Sequence, residues 1–418
     1  MLSLKSSYMV KPAKPTPNGR LELSECDQVK PITHTPTVYF YRKTPTVEVL
    51  KESLSQALIH FYPLAGRVHW VGGGRVELQC NAMGVLLNEA ESKARIEDFG
   101  DFCPTPKLQE LIPSIDYSDP IDEMPLLVVQ LTRFSCGGAS LGLGVSHVVA
   151  DGRSSLHFVA EWARIARGEP MAKPPLIFDQ TVLQVEDPFA APQFHHSEYS
   201  PLPLLASQFD KKEEMNKETA AILLRLNKTQ VDKLKKMANY EDQSSYDAAV
   251  QRAYSRFEAV AGHVWRCASK ARGHDFEQLT EVFISVDCRG RMLPPLPQEF
   301  FGNGVFLTAA ASSSGDLMSK PLNYASRRIR EAVEKMTDGY VRSALNFLKN
   351  QSNVTGFRTL HDVVSPKGVF YGNPNLQINS WLGLPLIHGA DFGWGKEIYM
   401  GPAGFDGSPY GCFQNVIL

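Results

Sequence analysis

Runs of apolar residues with a period of two alternate along the chain with runs of a period near 3.6. This interleaving predicts a mixed α/β protein. Thr35 to Arg42 carries Val38, Tyr39, Phe40 and Tyr41 in succession and predicts a strand. Val49, Leu50, Leu54, Ala57, Leu58 and Phe61 share one helical face, and Tyr62-Pro63-Leu64-Ala65-Gly66 ends that helix. Short strands are expected over Val76 to Gln79, Leu126 to Arg133 and Leu141 to Ser146. A helix is expected after Asp151. Beyond about residue 220 the alternation resumes. A strand is expected at Leu223 to Leu226, helices at Lys228 to Asn239 and Tyr254 to Ala271, a strand at Val282 to Val286 and one long helix from Tyr324 to Leu348. Two segments break the pattern. Residues 8–24 hold Pro12, Pro15 and Pro17 and read as an extended polar lead-in. The stretch from 168 to 205 holds seven prolines and reads as a surface crossover, with His195 and His196 in its middle, both expected to be solvated. The chain therefore divides into 1–170, a crossover over 171–219, and 220–418.

With 418 residues, two cores are affordable. The composition is that of an ordinary globular protein, 43% hydrophobic and 21% charged with a net charge of −2, and gives no electrostatic reason for a nucleic-acid or membrane partner. No apolar run reaches the ~20 residues of a membrane span, and the N-terminus lacks a signal-peptide core. The seven cysteines are scattered without a CxxC pair, so reduced thiols in the cytoplasm are expected and neither a disulfide frame nor a metal site.

The chemistry centres on His147-Val148-Val149-Ala150-Asp151-Gly152. A His at the end of a buried strand, before a Gly-bearing turn, can be presented into a cleft. Its ordinary pKa lets the neutral ring accept a proton, and a carboxylate four residues on can fix either the turn or the ring. Far downstream stands Asp391-Phe392-Gly393-Trp394-Gly395, suited to a tight packed loop. HxxxD and DFGWG in this order form the paired signature of the BAHD acyltransferases, plant CoA-dependent enzymes. Thr35-Pro36-Thr37-Val38-Tyr39, Tyr62-Pro63-Leu64-Ala65-Gly66-Arg67, Gly262-His263-Val264-Trp265-Arg266, Asp287-Cys288-Arg289-Gly290-Arg291 and Phe301-Gly302-Asn303 also resemble family blocks, in the family's order. The chain is most similar to the hydroxycinnamoyl-CoA branch.

The resemblance implies two similar α/β domains of the chloramphenicol acetyltransferase type, joined by the crossover, with a channel between them. It implies an acyl-CoA co-substrate, a small-molecule acceptor, no resident cofactor and a monomer. Carried over by position, His147 would be the general base. Asp151 would be a structural support paired with Arg289 or Arg291. Thr35, Thr37, Tyr39, Asn379 and Trp381 would meet the substrates. Ser255, Arg289 and Arg291 are candidates for contact with the CoA phosphates, and Asp391, Gly393, Trp394 and Gly395 are architectural. Two departures from the family shape the expectation. Where acid-acceptor members carry an Arg clamp this chain has Pro366 beside Lys367, and no Arg follows Arg358. That favours a cationic acceptor, a polyamine such as spermidine acylated on nitrogen; the alternative is O-acylation of shikimate, quinate or another alcohol. The tail from Ser408 does not resemble the family's ending, so the last strand and helix of the second domain are expected to be missing. A non-catalytic relative that binds CoA esters is the rival of another class.

Overall fold

A computed structural model describes residues 2–177, 183, 191–201, 203–204, 221–240, 252–358, 373–384, 389–404 and 415–417. Most of the expected crossover lies outside these residues, as do Pro366, Lys367, Pro385, residues 408–414 and Leu418. The main elements in chain order are β1 (Leu2–Val10), α1 (Glu25–Gln28), β2 (His34–Tyr41), α2 (Val47–His60), β3 (Val85–Ser92), β4 (Leu127–Phe134), β5 (Ala139–Ser146), α3 (Gly152–Ala166), α4 (Lys228–Ala238), α5 (Arg256–Ala271), β6 (Leu279–Asp287), β7 (Val305–Ser313), α6 (Leu322–Glu334), α7 (Asp338–Lys349), β8 (Leu376–Asn379), β9 (Tyr399–Pro402) and β10 (Asn415–Ile417).

The first half is built on a six-stranded sheet in the order β1-β3-β4-β5-β2-β9. Only β3 and β4 run parallel; the remaining neighbours are antiparallel. Strand β5 is buried along its whole length, which is why it reads as a continuous apolar and Gly run without alternation. Helices α2 and α3 cover one face of the sheet. Trp162, Phe158, Phe61, Leu50 and Leu54 fill the space between, and the Trp162 indole donates to Ser53 Oγ at 2.9 Å. Val49 is left on the outside of α2, and Val47 takes the inward place. Against the opposite face lie Leu108, Leu111, Phe99 and Phe102, packed on Phe40 and Phe134, with the aromatic rings tilted against one another. Gly142 permits this packing, because a Cβ there would stand 2.1 Å from the Leu111 carbonyl oxygen.

The second half repeats the theme with a sheet in the order β7-β6-β8-β10. Strand β6 pairs antiparallel with β7 and parallel with β8, and residues 415–417 add β10 in parallel at the edge. Trp265 of α5, Ile329 of α6, and Val341 and Leu345 of α7 form its core with Val282, Ile284 and Val286. The two halves are not independent. β9, late in the chain, pairs with β2 and completes the first sheet, so the stretch from 220 to 418 is not one separate unit. A second tie joins Leu176–Ile177 of the crossover to Phe300–Phe301.

Several expectations are corrected. The lead-in holds the end of β1, whose residues Leu2–Val10 pair with Ser92 to Val85, and the strand Gly19–Glu22, paired with Cys80 to Glu77. Sheet edges recruit polar extended chain through backbone hydrogen bonds, which leave no hydrophobic period to read. Leu223 to Leu226 is exposed and pairs with no strand among the described residues, with Leu224 at 75% exposure. The long helix is two helices, α6 and α7, broken at Met336-Thr337, where Thr337 caps α7 by accepting from the Tyr340 N–H. Buried Met336, Tyr340 and Val341 carry the apolar period across the break and hide it in the sequence. His195 is exposed but His196 is buried: its ring contacts Glu198 Oε1 at 3.1 Å and Ser343 Oγ at 2.9 Å, which fastens the crossover to α7.

Candidate active site

The turn between β5 and α3 holds His147. Its N–H donates to the Thr33 carbonyl at 3.0 Å, and Val148, Val149 and Ala150 behind it are buried in the first core. From the other half, the Asn303 side-chain amide donates to the His147 carbonyl at 2.9 Å and to Asp27 Oδ1 at 2.7 Å. The histidine backbone is thus gripped from both halves. Burial lowers the His147 pKa to about 4, and the nearby Lys30 charge pushes in the same direction. The ring is therefore neutral at physiological pH, the form that can take a proton. Its Nδ1 is buried with no hydrogen-bond partner among the described residues.

Asp151 does not touch that ring. It is the N-cap of α3, accepting from the Ser154 N–H at 3.0 Å. It also accepts from the Gly304 N–H at 2.9 Å, from Arg289 Nη1 at 2.7 Å and from Arg289 Nη2 at 3.0 Å. Both partners of this pair are almost wholly buried, with side-chain exposures of 1% for Asp151 and 3% for Arg289. Although burial disfavours its charge, the Arg289 guanidinium and the two backbone amides hold the Asp151 carboxyl below the ordinary carboxylate range. The four-residue spacing fixes the turn and joins the halves.

Alternation along β2 places Thr35, Thr37 and Tyr39 on one face, where they line a pocket with Leu143 and Val145 of β5. Gly152, Ser155, Leu156 and Val159 of α3 form its second wall, and Trp381, Leu384 and Met400 close it. Its rims at Val145 and Gly152 flank the His147–Asp151 turn in the chain. Burial raises the Tyr39 hydroxyl's pKa well above its usual range, with the Glu397 charge adding to the effect, so it stays protonated and able to donate. Asn379 is not among the lining residues; it ends β8 with its Oδ1 accepting from Ser285 Oγ at 2.7 Å.

The three candidates for phosphate contact sit differently from expectation. Arg289 is committed to Asp151, Asp287, Gly302 and Ser154 in the interior, so a surface phosphate contact is not open to it. Ser255 is the N-cap of α5, in a capping box with Glu258. Arg291 is half-buried and donates to the Val333 and Met336 carbonyls. The DFGWG loop packs behind the first sheet. Asp391 Oδ1 accepts from the N–H groups of Gly393 and Gly395, both at positive φ (+94° and +96°), where Gly costs least. Phe392 meets Trp162 and Trp394 meets Tyr41 edge-on, while Arg167 donates to the Asp391 carbonyl.

Residues 25–30 are the part of the site that sequence reasoning missed. All four residues of α1 are buried, and Asp27 and Lys30 reach across to Asn303 and Val305. Burial raises the Asp27 pKa to about 6, against the opposing hydrogen bonds from Ser24 and Asn303. The single available signal was the order of polar residues within a four-residue turn, too short for any period. Among the described residues no cluster of three or more His, Cys, Asp or Glu side chains suits a metal ion. Cys26, Cys80, Cys103, Cys136, Cys267 and Cys288 are free thiols. No helix among the described residues is long and apolar enough to cross a membrane.

Two α/β halves that share a neutral histidine at their junction define an acyltransferase of the two-domain, chloramphenicol acetyltransferase-like class. The family model described as Transferase family matches residues 1–408, and the chain belongs to this family, the BAHD acyltransferases, whose co-substrate is an acyl-CoA thioester. It is similar to hydroxycinnamoyl-CoA:piscidic acid hydroxycinnamoyltransferase of Actaea racemosa, 49% identical over 97% of this chain and 92% of that protein. It is 44% identical to shikimate O-hydroxycinnamoyltransferase of Nicotiana tabacum, over 96% and 90% of the two chains. Among solved structures it resembles vinorine synthase with a TM-score of 0.66 and 24% identity, over 97% of this chain and 89% of that one. The F. graminearum TRI101 complex with ethyl coenzyme A shares the fold at a TM-score of 0.65 and 15% identity, over 93% of this chain and 90% of that one.

Proposed function

We propose that the protein transfers a hydroxycinnamoyl group from its CoA thioester to a hydroxyl group of an organic acid, with His147 as general base. The acceptor O–H would lose its proton to the His147 ring as its oxygen attacks the thioester carbonyl. Collapse of the tetrahedral intermediate would then release CoA as thiol, the proton passing from His147 to the sulfur, and leave an ester. Asp151 would act on the turn and not in the proton transfer.

The observation that carries the acceptor assignment is the lining of the pocket: hydroxyls from Thr35, Thr37, Tyr39 and Ser155 among apolar walls, with no acidic side chain among the described lining residues; Glu397 acts on Tyr39 from outside that lining. A polyamine would need acidic or carbonyl oxygens for its ammonium groups, so the spermidine reading loses its structural support. Relatives named for piscidic acid and for shikimate agree with an acid acceptor. The N-acyl reading keeps a foothold in relatives from Avena sativa, 38% identical, named for 5-hydroxyanthranilate, which is itself an acid. The test is transfer from coumaroyl-, caffeoyl- and feruloyl-CoA to hydroxy acids, shikimate, quinate and spermidine. Turnover on spermidine alone would overturn the proposal.

A further inference from the structure

Among the described residues Lys30 is a buried cation with no ion-pair partner. It follows α1 and is 6% exposed. Its ammonium donates to the Val305 carbonyl at 2.6 Å. An ammonium has three N–H groups, and among the described residues no carboxylate lies within the 4.0 Å of an ion pair with it. The carboxylates that could have served are occupied elsewhere: Asp27 accepts from Ser24 and Asn303, and Asp151 from Arg289. Burying a charge without a partner is costly, and a fold that does so at its functional junction stands ready to bind an anion there.

The contacts around Lys30 tie its surroundings to the His147 backbone. Thr33, three residues on, accepts from the His147 N–H. Asn303, two residues before Val305, donates to the His147 carbonyl. The charged groups acting on the His147 ring are Lys30 and Asp151, with Asp27 behind Asn303 and Arg289 behind Asp151. Of these, Lys30 exerts the larger effect.

We infer that Lys30 is the cation that binds the acceptor's carboxylate at the junction of the two halves, in place of an arginine from the second half. This rests on the organic-acid reading above. It accounts for an acid acceptor in a chain with no Arg after Arg358. It also has a consequence for the base. In the free protein the Lys30 charge holds the ring's affinity for protons down; a carboxylate seated on Lys30 cancels that charge, so binding of the acid makes His147 a stronger base. A neutral acceptor leaves it weak.

The experiment compares a hydroxy acid acceptor with its methyl ester in the wild-type protein, Lys30→Met and Lys30→Arg, with thermal unfolding run on each. Wild type should prefer the acid. Lys30→Met should raise KM for the acid by about 10–100-fold, the range for a hydrogen bond to a charged group, and leave the ester nearly unaffected. Lys30→Arg should restore the preference. With wild type alone, the acid limb of kcat should lie at higher pH than that of kcat/KM when the acceptor is the acid, and the two should coincide for the ester. This measurement stands even if Lys30→Met does not fold. Equal losses on acid and ester in Lys30→Met, or coincident limbs with both acceptors, would overturn the inference and leave the organic-acid reading intact. Failure of wild type on all hydroxy acids would sink that reading itself.

Discussion

The substitution Asp151→Asn separates an architectural role from a catalytic one. It keeps the size of the side chain and removes its charge. Four donors converge on this carboxylate at 2.7–3.0 Å: Arg289 twice, and the N–H groups of Ser154 and Gly304. An amide offers one oxygen where two were used, and its NH2 group would face donors. Arg289 would keep Asp287, whose side chain is 37% exposed and therefore screened. Breaking one partner out of a buried ion pair costs about 3–5 kcal/mol. For 418 residues the unfolding entropy is roughly 0.9 kcal/mol/K, so Tm should fall by about 3–6 °C. Because the start of α3 and the turn after β6 meet through this pair, the loss should also appear as lower soluble yield. The remaining folded protein should turn over with a kcat within about tenfold of wild type, since the carboxylate makes no hydrogen bond to the ring. Differential scanning fluorimetry beside a steady-state assay on the same preparation decides the matter. An Asp151→Asn protein with wild-type Tm and no activity would refute the reasoning and place Asp151 in the proton transfer.

Further outcomes follow from the same geometry. His147→Ala should lower kcat by about 10²–10⁴-fold with CoA-ester binding nearly unchanged, and retention of more than about a tenth of the rate would remove His147 from the base role. In the wild type, kcat/KM should hold steady as pH drops and fall only on approach to about 4, where the free protein's His147 gains its proton. Gly142→Ala drives a Cβ to 2.1 Å from the Leu111 oxygen and should cost about 1–3 kcal/mol by urea unfolding, whereas Gly356→Ala, with open space around its Cβ, serves as a control. Glu198 is buried, which opposes its charge, but hydrogen bonds from His196 and Tyr340 outweigh this and depress its pKa. Its stabilising contribution is therefore complete above the ordinary carboxylate range and is lost as pH falls through the lower folded value. Glu198→Gln should flatten that part of the dependence of urea midpoint on pH between neutrality and about pH 3.

What could be read from the chain alone follows from periodicity and from short-range chemistry. The long amphipathic elements announce themselves: α2, α4 and α5 lie within two residues of their expected limits, α3 begins directly after Asp151, and β2 and β5 are where branched and apolar runs placed them. HxxxD and DFGWG were legible because each is closed by contacts within a few residues, Asp151 to the Ser154 N–H and Asp391 to the N–H groups of Gly393 and Gly395. Backbone pairing across long separations leaves no such trace. β1, β9 and the crossover's two-residue strand join sheets through main-chain hydrogen bonds that any side chain permits, so their sequences read as polar lead-in or loop. The break between α6 and α7 is hidden for the opposite reason, because burial continues across it.

The site divides along the same line. Residue type and local spacing identified His147 and Asp151 as a pair of interest, and the family resemblance implied Arg289 or Arg291 as partner for the carboxylate. Only the folded chain decided between them: the Arg289 fork closes on Asp151, 138 residues away, while Arg291 turns to the Val333 and Met336 carbonyls, in the last turn of α6 and just beyond it. Only the folded chain brought Asp27 and Lys30 to Asn303 and Val305, contacts spanning 276 and 275 residues. A lysine in a polar stretch is ordinarily solvated. What makes Lys30 otherwise is desolvation by two halves closing over it, a property of the packed interior that no local pattern of residues encodes.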